Sequence, residues 1–386
     1  RLSVLPIGRP AGALLGAVLM VATGALAPGA ALEAVDADTL VLLFGTMALS
    51  GYLERSGLFD RLGLLASRTS PRGLLVATAI VPGVLSAFLL NDAICLFLAP
   101  IVVHLCATRK LPFAPYLIAL ATSANLGSAA TLVGNPQNMI VGSLSHYGFV
   151  AFLRAVGPAS VAGLAINAVL LFVFFARRLP AAMPEASEAM QVRRGPLPRL
   201  TAAVSVLVAV ALLCGLHLGF TLLAGVMVLV LADRREPNEV FAKVDWSLLV
   251  FFACLFIVVH GLDATGLPAR AWAQARDHVS LDSPLGLAGL TALLAIGSNV
   301  VSNVPVILLV GPHLAELGQP ERAWALCGFV TTVAGNLTLV GSVANLIVAE
   351  RAKSHYELGF LEHLRFGLVS SVLVLVAGVP LVVWMT

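Results

Sequence analysis

Stretches of apolar residues long enough, or nearly long enough, to cross a lipid bilayer recur along the whole chain, around 11–28, 39–54, 155–176, 201–216 and 366–385. At a helical rise of about 1.5 Å per residue, about 20 residues cross about 30 Å of hydrocarbon. Hydrocarbon offers backbone groups no partner, so a chain of this kind folds into helices or a closed barrel. Hydrophobic residues make up 59% of the chain and charged ones only 11%, against about 25% charged in soluble domains. The bilayer is the solvent, and segments of this length are helices. The first apolar stretch is followed at once by more of the same, so it reads as a retained span rather than a cleaved signal.

The chain repeats itself. Leu15-Gly16-Ala17-Val18 matches Ala224-Gly225-Val226-Met227, Val35-Asp36 matches Val244-Asp245, and Ser56-Gly57-Leu58 matches Thr265-Gly266-Leu267, all at an offset of 209. Asn91 pairs with Asn303 and Pro100 with Pro312 at 212. Residues 131–141 match 338–348 at 207. This divides the chain into a first repeat over 1–176, a linker over 177–200 and a second repeat over 201–386. The linker carries Pro180, Pro184, Pro196 and Pro198 among mixed charges, and its arginines suit anionic headgroups without any need for nucleic acid.

Cytoplasmic loops collect Lys and Arg. An N-terminus inside, with the segments around Asn91-Asp92 entering and leaving from the cytoplasmic face, places 19 of the 23 basic residues inside, including Arg9, Arg55, Arg72, Arg109 and Lys243. The second repeat then enters from the opposite face. The predicted fold is an all-α integral membrane protein of two inverted-topology repeats, each with a re-entrant helical hairpin and a broken transmembrane helix. The hairpins fall at about 73–107 and 284–315, the broken helices at about 114–149 and 323–349. The polar residues at the hairpin turns favour re-entry over two ordinary crossings, because irregular backbone at mid-depth needs protein or a water-filled cavity around it.

Asp92 stands out within Ser86-Ala87-Phe88-Leu89-Leu90-Asn91-Asp92-Ala93-Ile94 as a carboxylate deep in an apolar stretch. Such a residue is costly to insert and marks an ion or substrate pathway. The second tip, Ser302-Asn303, lacks the acid. After each hairpin an apolar segment is interrupted by small and polar residues: Asn125, Thr131, Gly134, Asn135, Pro136 and Asn138 in the first, Asn336, Thr338, Gly341, Ser342 and Asn345 in the second. Glycine and proline break the helix there, exposing carbonyls and helix ends to a bound ion. Each residue alone reads as helix packing; paired breaks in two inverted halves point to a carrier's midplane site.

Other chemistries fit poorly. Cys95, Cys106, Cys214, Cys254 and Cys327 are scattered singly, with no metal-ligand spacing and no disulfide pattern, and read as small buried hydrophobes. His104, His217, His260 and Asp263 lie near segment ends and read as surface or interfacial groups. An aspartyl protease would need two acids at depth. A channel would repeat identical elements around a pore, whereas these tips differ. With no Gly-rich phosphate loop, ATP is not the fuel unless a separate ATPase subunit docks on the inner loops. No cofactor or metal is implied.

Leu90-Asn91-Asp92-Ala93, residues 131–138, Ser302-Asn303-Val304-Pro305, and residues 335–342 with Asn345 resemble the ion-transporter superfamily over nearly the whole chain. That group holds arsenite-efflux permeases, sodium/proton antiporters, silicic-acid efflux carriers, citrate carriers and divalent-anion/sodium symporters. The resemblance implies a scaffold of helices around two opposed hairpins and two broken helices, with substrate and coupling ion between them, and dimers occur among its members. The divalent-anion symporters carry Ser-Asn-Thr at each tip; here the tips read Leu90-Asn91-Asp92 and Ser302-Asn303-Val304, closer to arsenite permeases and sodium/proton antiporters. The expected function is secondary, proton-coupled efflux of a small inorganic weak acid or oxyanion such as arsenite or antimonite across an inner membrane. A sodium-coupled anion or dicarboxylate symporter and a sodium/proton antiporter are the alternatives. Asp92 is the proton-coupling candidate. Asn91, Asn125, Thr131, Gly134, Asn135, Asn138, Ser302, Asn303, Asn336, Thr338, Gly341, Ser342 and Asn345 are the substrate- or ion-binding candidates. The partners expected are that weak acid, protons or sodium, the lipid bilayer, a second copy of the chain, and the ATPase subunit if one docks.

Overall fold

A computed structural model describes residues 8–185 and 195–386; the middle of the linker, 186–194, and the first seven residues, with Arg1, Arg193 and Arg194 among them, lie outside the described residues. Among the described residues there are helices and no strand. The first half runs through α1 (Arg9–Ala22), α2 (Pro28–Glu33), α3 (Ala37–Arg55), α4 (Leu58–Ala66), α5 (Pro71–Ser86), α6 (Asn91–Thr108), α7 (Phe113–Ser128), α8 (Pro136–Ser145) and α9 (Phe149–Phe175). A connecting helix, α10 (Pro198–Leu213), leads into α11 (Leu218–Asp233), α12 (Asn238–Phe241), α13 (Trp246–Asp263), α14 (Leu267–Ala275), α15 (Pro284–Val300), α16 (Asn303–Val310), α17 (Pro320–Ala334), α18 (Val343–Ala352) and α19 (Phe360–Met385).

The repeat seen in the sequence is a repeat of elements. α4 and α14 coincide end to end at an offset of 209, and α8 and α18 do so at 207. Equivalent helices begin for equivalent reasons. The first arm of each hairpin opens Ser-Pro-x-Gly: Ser70 Oγ caps Gly73 N at 3.1 Å and Ser283 Oγ caps Gly286 N at 3.1 Å, with Pro71 and Pro284 at the position whose N–H would have no partner. Asp36 and Asp245 cap the matching helices α3 and α13. The halves interlock by exchange: α1 lies along α13, as its counterpart α11 lies along α3.

Large apolar side chains face outward on α1, α9, α10, α11 and α19, among them Val18, Val169, Val173, Leu207, Leu231 and Val376, each more than half exposed. In water this belt would be an aggregation site; in lipid it is the ordinary outer surface. Among the described residues, four helices are long and apolar enough to cross a bilayer: α6, α9 with its continuation to Arg178, α13 and α19. The chain is a multi-pass membrane protein.

Several residues expected on the cytoplasmic side gather at one end of the molecule. Arg55 pairs with Asp233 and, at 3.3 Å, with Glu239; Lys243 pairs with Glu54; and Arg109 donates to the carbonyl of Pro184 at 2.7 Å. This end carries the C-termini of α3 and α11, the start of α13 and the near end of the linker.

Inside, α5 and α7 pack backbone against backbone. A Cβ on Gly127 would stand 1.9 Å from the Gly83 carbonyl oxygen, and one on Gly83 would press Leu164 at 2.7 Å. Small residues permit this approach, so Gly83 is a packing position.

Candidate functional site

Each half supplies a helical hairpin, α5–α6 and α15–α16, and a broken helix, α7–α8 and α17–α18. The breaks span 129–135 and 335–342. The hairpin tip docks on the break of its own half: Asn91 N donates to the Gly134 carbonyl at 2.9 Å, and Thr131 Oγ1 donates to the Ala87 carbonyl. In the second half Thr338 Oγ1 donates to Asn299 Oδ1 at 3.0 Å. Gly134 and Gly341 allow the contact, since a Cβ would lie 2.4 Å from Ser128 O at the first and 2.8 Å from Asn299 Oδ1 at the second.

A cavity of about 220 Å3 opens where these parts meet. Its walls are the first turns of α6, α8, α16 and α18, and its mouth is formed by the first turns of α1 and α13. Each helix N-terminus carries roughly half a positive charge in unpaired N–H groups, so the arrangement is a ready-made host for a small oxygen-rich solute. Asp92 lines it at 7% exposure in the first turn of α6. Phe251 and Phe252 supply an apolar wall.

Behind the cavity lies a buried amide cluster centred on Asn125. Its Oδ1 accepts from Asn91 Nδ2 at 2.8 Å and from Ser342 Oγ at 3.0 Å, while its Nδ2 donates to Asn336 Oδ1 at 2.7 Å and Asn345 Oδ1 at 3.1 Å. One side chain thus ties a tip and a broken helix of one half to the break of the other. The counterpart tie runs from Asn135 Nδ2 to Thr332 Oγ1 at 3.3 Å, and Thr332 stands at Asn125's position in the second half.

The sequence candidates fall into two groups. Asn91, Asp92, Ser302, Asn303, Gly341 and Ser342 line the cavity. Asn125, Thr131, Gly134, Asn135, Asn138, Asn336, Thr338 and Asn345 form the packed layer behind it, all but Thr338 at 1% exposure or less where a side chain is present. The break carbonyls expected to face an ion are met by amides instead. Asn138 Nδ2 donates to Thr131 O at 3.0 Å, Ala129 O at 3.2 Å and Ser128 O at 3.4 Å. Asn345 Nδ2 donates to Gly335 O at 2.9 Å and Thr338 O at 3.1 Å.

Ser302 takes φ 83° and ψ 158°, a region normally left to glycine. Substituting Ser302→Gly is expected to raise stability by about 1 kcal/mol through released strain, net of glycine's chain entropy; thermal unfolding in detergent measures it, and an unchanged or lower midpoint contradicts the strain.

Several site residues escaped the sequence reading. Arg9, counted among loop charges, lines the mouth and donates to the Val340 carbonyl in the second break at 3.3 Å. Asp245, the cap of α13, lines it too, so Asp92 is not the cavity's sole acid. His363 is wholly buried on α19, with Nε2 3.1 Å from the Asn336 carbonyl and Nδ1 without a partner. Asn167 on α9 donates to Thr122 Oγ1 and Ser123 Oγ at 3.1 and 3.0 Å and accepts from Ser370 on α19 at 2.8 Å. His217, His260 and Asp263 are exposed and His104 half-buried, as read from sequence. Four cysteines are buried, but Cys214 is exposed, and no metal-binding cluster occurs among the described residues.

A second cavity, about 380 Å3, is lined by Asp38, Thr39, Leu42, Met139, Leu218 and Gly219, with His146 and His217 at its edge. Those six stand at the repeat positions of Ser247, Leu248, Phe251, Leu346, Arg9 and Pro10 in the first cavity. The two hollows are equivalents in the two halves.

Residues 2–334 match the family described as citrate transporter. The silicon efflux transporter LSI3 of Oryza sativa subsp. japonica is 35% identical over 98% of this chain and 93% of its own length. The putative transporter arsB of Dictyostelium discoideum is 30% identical over 98% of this chain and 88% of its own. Among solved structures the Alcanivorax borkumensis YdaH transporter superposes with a TM-score of 0.59 at 18% identity, over 89% of this chain and 84% of that one, which shows a shared fold. Paired hairpins, paired helix breaks and an oxygen-rich cavity between them therefore sit in a chain that belongs to the citrate transporter family and is a membrane transporter.

Proposed function

We propose that this chain is a secondary, proton-coupled exporter of a small inorganic weak acid of the arsenous or silicic acid type, working in an inner membrane with its N-terminus in the cytoplasm. The observation that carries the reading is the composition of the cavity: one buried carboxylate, amide and hydroxyl groups from both tips and breaks, and converging helix N-termini. A poly-hydroxy acid that is neutral in water matches this mixture of donors and acceptors. A trivalent carboxylate does not, because the charged lining is Asp92 and Asp245 against Arg9 alone, a net formal charge of −1 when both acids are ionised. The names of the silicon efflux and arsB relatives support the same substrate class.

Asp92 is the coupling group in this reading: its carboxyl holds a proton in one state and gives it up when substrate or water replaces it. The mouth lies beside Arg9 and Asp245, at the end where Arg55, Arg109 and Lys243 gather. The positive-inside rule makes that end cytoplasmic, so the cavity loads from the cell. The docking of each tip on its break supports re-entrant hairpins, and the exchange of α1 and α11 between halves supports opposed repeats.

Everted vesicles with an acid interior test the function. Arsenite or silicic acid is expected to accumulate against its gradient and citrate not to; citrate uptake, or arsenite and silicic acid movement indifferent to the pH gradient, overturns the reading.

A further inference from the structure

The first repeat carries a groove on its lipid side, apart from the two equivalent hollows. It holds about 270 Å3 between α4, α5 and α6, with Gly63, Leu65, Leu74, Val81, Leu98 and Leu105 in its walls. It borders the outer surface: Val76, Ile80 and Val84 form the exposed stripe of α5, one step around the helix from Ala77 and Val81, and Leu65 at the lip is 60% exposed. The two hydroxyls that line it are already used. Thr69 Oγ1 donates to Ala66 O at 2.7 Å, and Thr78 Oγ1 to Leu74 O and Leu75 O at 2.9 Å. A hollow with no free polar group suits hydrocarbon and not water. From Leu74 to Pro82 it runs about 12 Å along α5 at about 1.5 Å per residue, most of the roughly 15 Å that one leaflet of hydrocarbon spans.

Three exposed arginines stand at one end. Arg61, Leu65 and Arg68 follow at helical spacing, and Arg72 heads the exposed stripe of α5. Residues 61–72 hold no acid; Asp60, just before them, is already engaged. This end is the one remote from the hairpin tip, since the Pro71 carbonyl accepts from Tyr116, near the start of α7, at 3.0 Å.

The second repeat closes the same place with its own side chain. Trp272 stands at the position of Gly63, and its ring stacks on His313, the counterpart of Ile101 in the groove wall, with centroids 5.5 Å apart. Its indole N–H donates to Glu316 Oε2 at 3.0 Å. The charge is gone as well: Asp277 replaces Arg68, and Leu285, counted from the matched Ser-Pro, replaces Arg72. An open apolar groove and a basic rim occur together in one repeat and are lost together in the other.

We propose that this groove is a binding site for an anionic membrane phospholipid, with one acyl chain between α4, α5 and α6 and the phosphate at Arg61, Arg68 and Arg72. Arginines beside a membrane surface attract anionic headgroups, and the groove supplies the apolar half of the match. The bound chain braces the first hairpin from the lipid side, as Trp272 braces the second from within. The site lies apart from the transport cavity, and its occupancy does not depend on what the protein carries.

The full chain, purified in detergent and stripped of lipid, is titrated with phosphatidylglycerol and with phosphatidylcholine of the same acyl chains. Native mass spectrometry counts the bound lipid and thermal unfolding reads its effect. Phosphatidylglycerol is expected to bind about tenfold more tightly or better and to raise the midpoint; glycerol phosphate, which has the anion without the chains, is expected to do neither. Arg61→Gln, Arg68→Gln and Arg72→Gln, all at exposed positions, are each expected to lower the preference for phosphatidylglycerol about fivefold. Gly63→Trp sets the second repeat's residue in the groove and is expected to abolish tight binding while leaving the lipid-free midpoint within a few degrees of the wild type. If Gly63→Trp does not fold, Ala77→Phe at the lip takes its place. Equal responses to the two lipids overturn the proposal, as does a response to glycerol phosphate alone. So do arginine variants that keep the full preference, or a folded groove-filling variant that binds phosphatidylglycerol as the wild type does.

Discussion

Asp92→Asn is expected to reduce gradient-driven accumulation to the level seen with no pH gradient, while exchange of substrate for substrate stays within about tenfold of the wild type, the cost of one altered polar contact. The side chain lies at the start of α6 beside Asn91, whose Oδ1 accepts from the Asp92 backbone N–H at 2.9 Å. That bond and the surrounding packing survive an isosteric amide; the ionisable proton does not. Substrate flux and internal pH recorded in the same vesicles separate the two effects. A variant that still exchanges protons for substrate removes Asp92 from coupling and leaves the fold and the cavity standing. A variant that also loses exchange makes Asp92 a binding group first. In that case attention moves to Asp245, the other acid lining the cavity.

Gly127→Ala is expected to leave no correctly folded protein, a loss above about 4 kcal/mol. The new Cβ would stand 1.9 Å from the oxygen, 2.4 Å from the carbon and 2.5 Å from the Cα of Gly83, all backbone atoms that no rotamer change can move aside. Separating α5 from α7 would displace Asn125, two residues earlier, and with it the ties between halves. Gly12→Ala on α1 is the control: nothing lies within 4 Å of its Cβ, and removing helix glycine entropy is worth about 0.5–1 kcal/mol in the stabilising direction. Monodispersity and thermal midpoint in detergent compare the two. A well-folded Gly127→Ala would mean that α5 and α7 do not pack as closely as described.

The architecture was legible because lipid leaves few options. Polar residues in an apolar background are rare, so the tips at Asn91 and Asn303 and the breaks around Pro136 and Val343 stood out, and the nearly equal offsets between the pairs exposed the repeat. Which of these groups touch each other was not legible. Asn125 and Asn336 are 211 residues apart, and only the interlocking of the two halves brings them to 2.7 Å. Arg9 and Asp245 were hidden by their position at helix starts, where charge is usual and says nothing of a cavity. His363 was hidden by its neighbours: it opens a long apolar helix, α19, at the position Phe152 holds in the first half, and one imidazole in such a run looks like a headgroup contact until the fold encloses it. The strained backbone of Ser302 has no sequence signature at all, since serine is an ordinary residue at a turn.

The two equivalent hollows are unlike in chemistry. One threshold presents a guanidinium and carboxylates, from Arg9, Asp245 and Asp92; the other presents Leu218 in place of the arginine, with Asp38 and the imidazoles of His146 and His217 nearby. A duplicated scaffold has thus been given two different doorsteps, and ionic strength acts on each to a different degree. Directionality in such a protein can be adjusted at its rims, by single surface residues, without disturbing the asparagine knot between them.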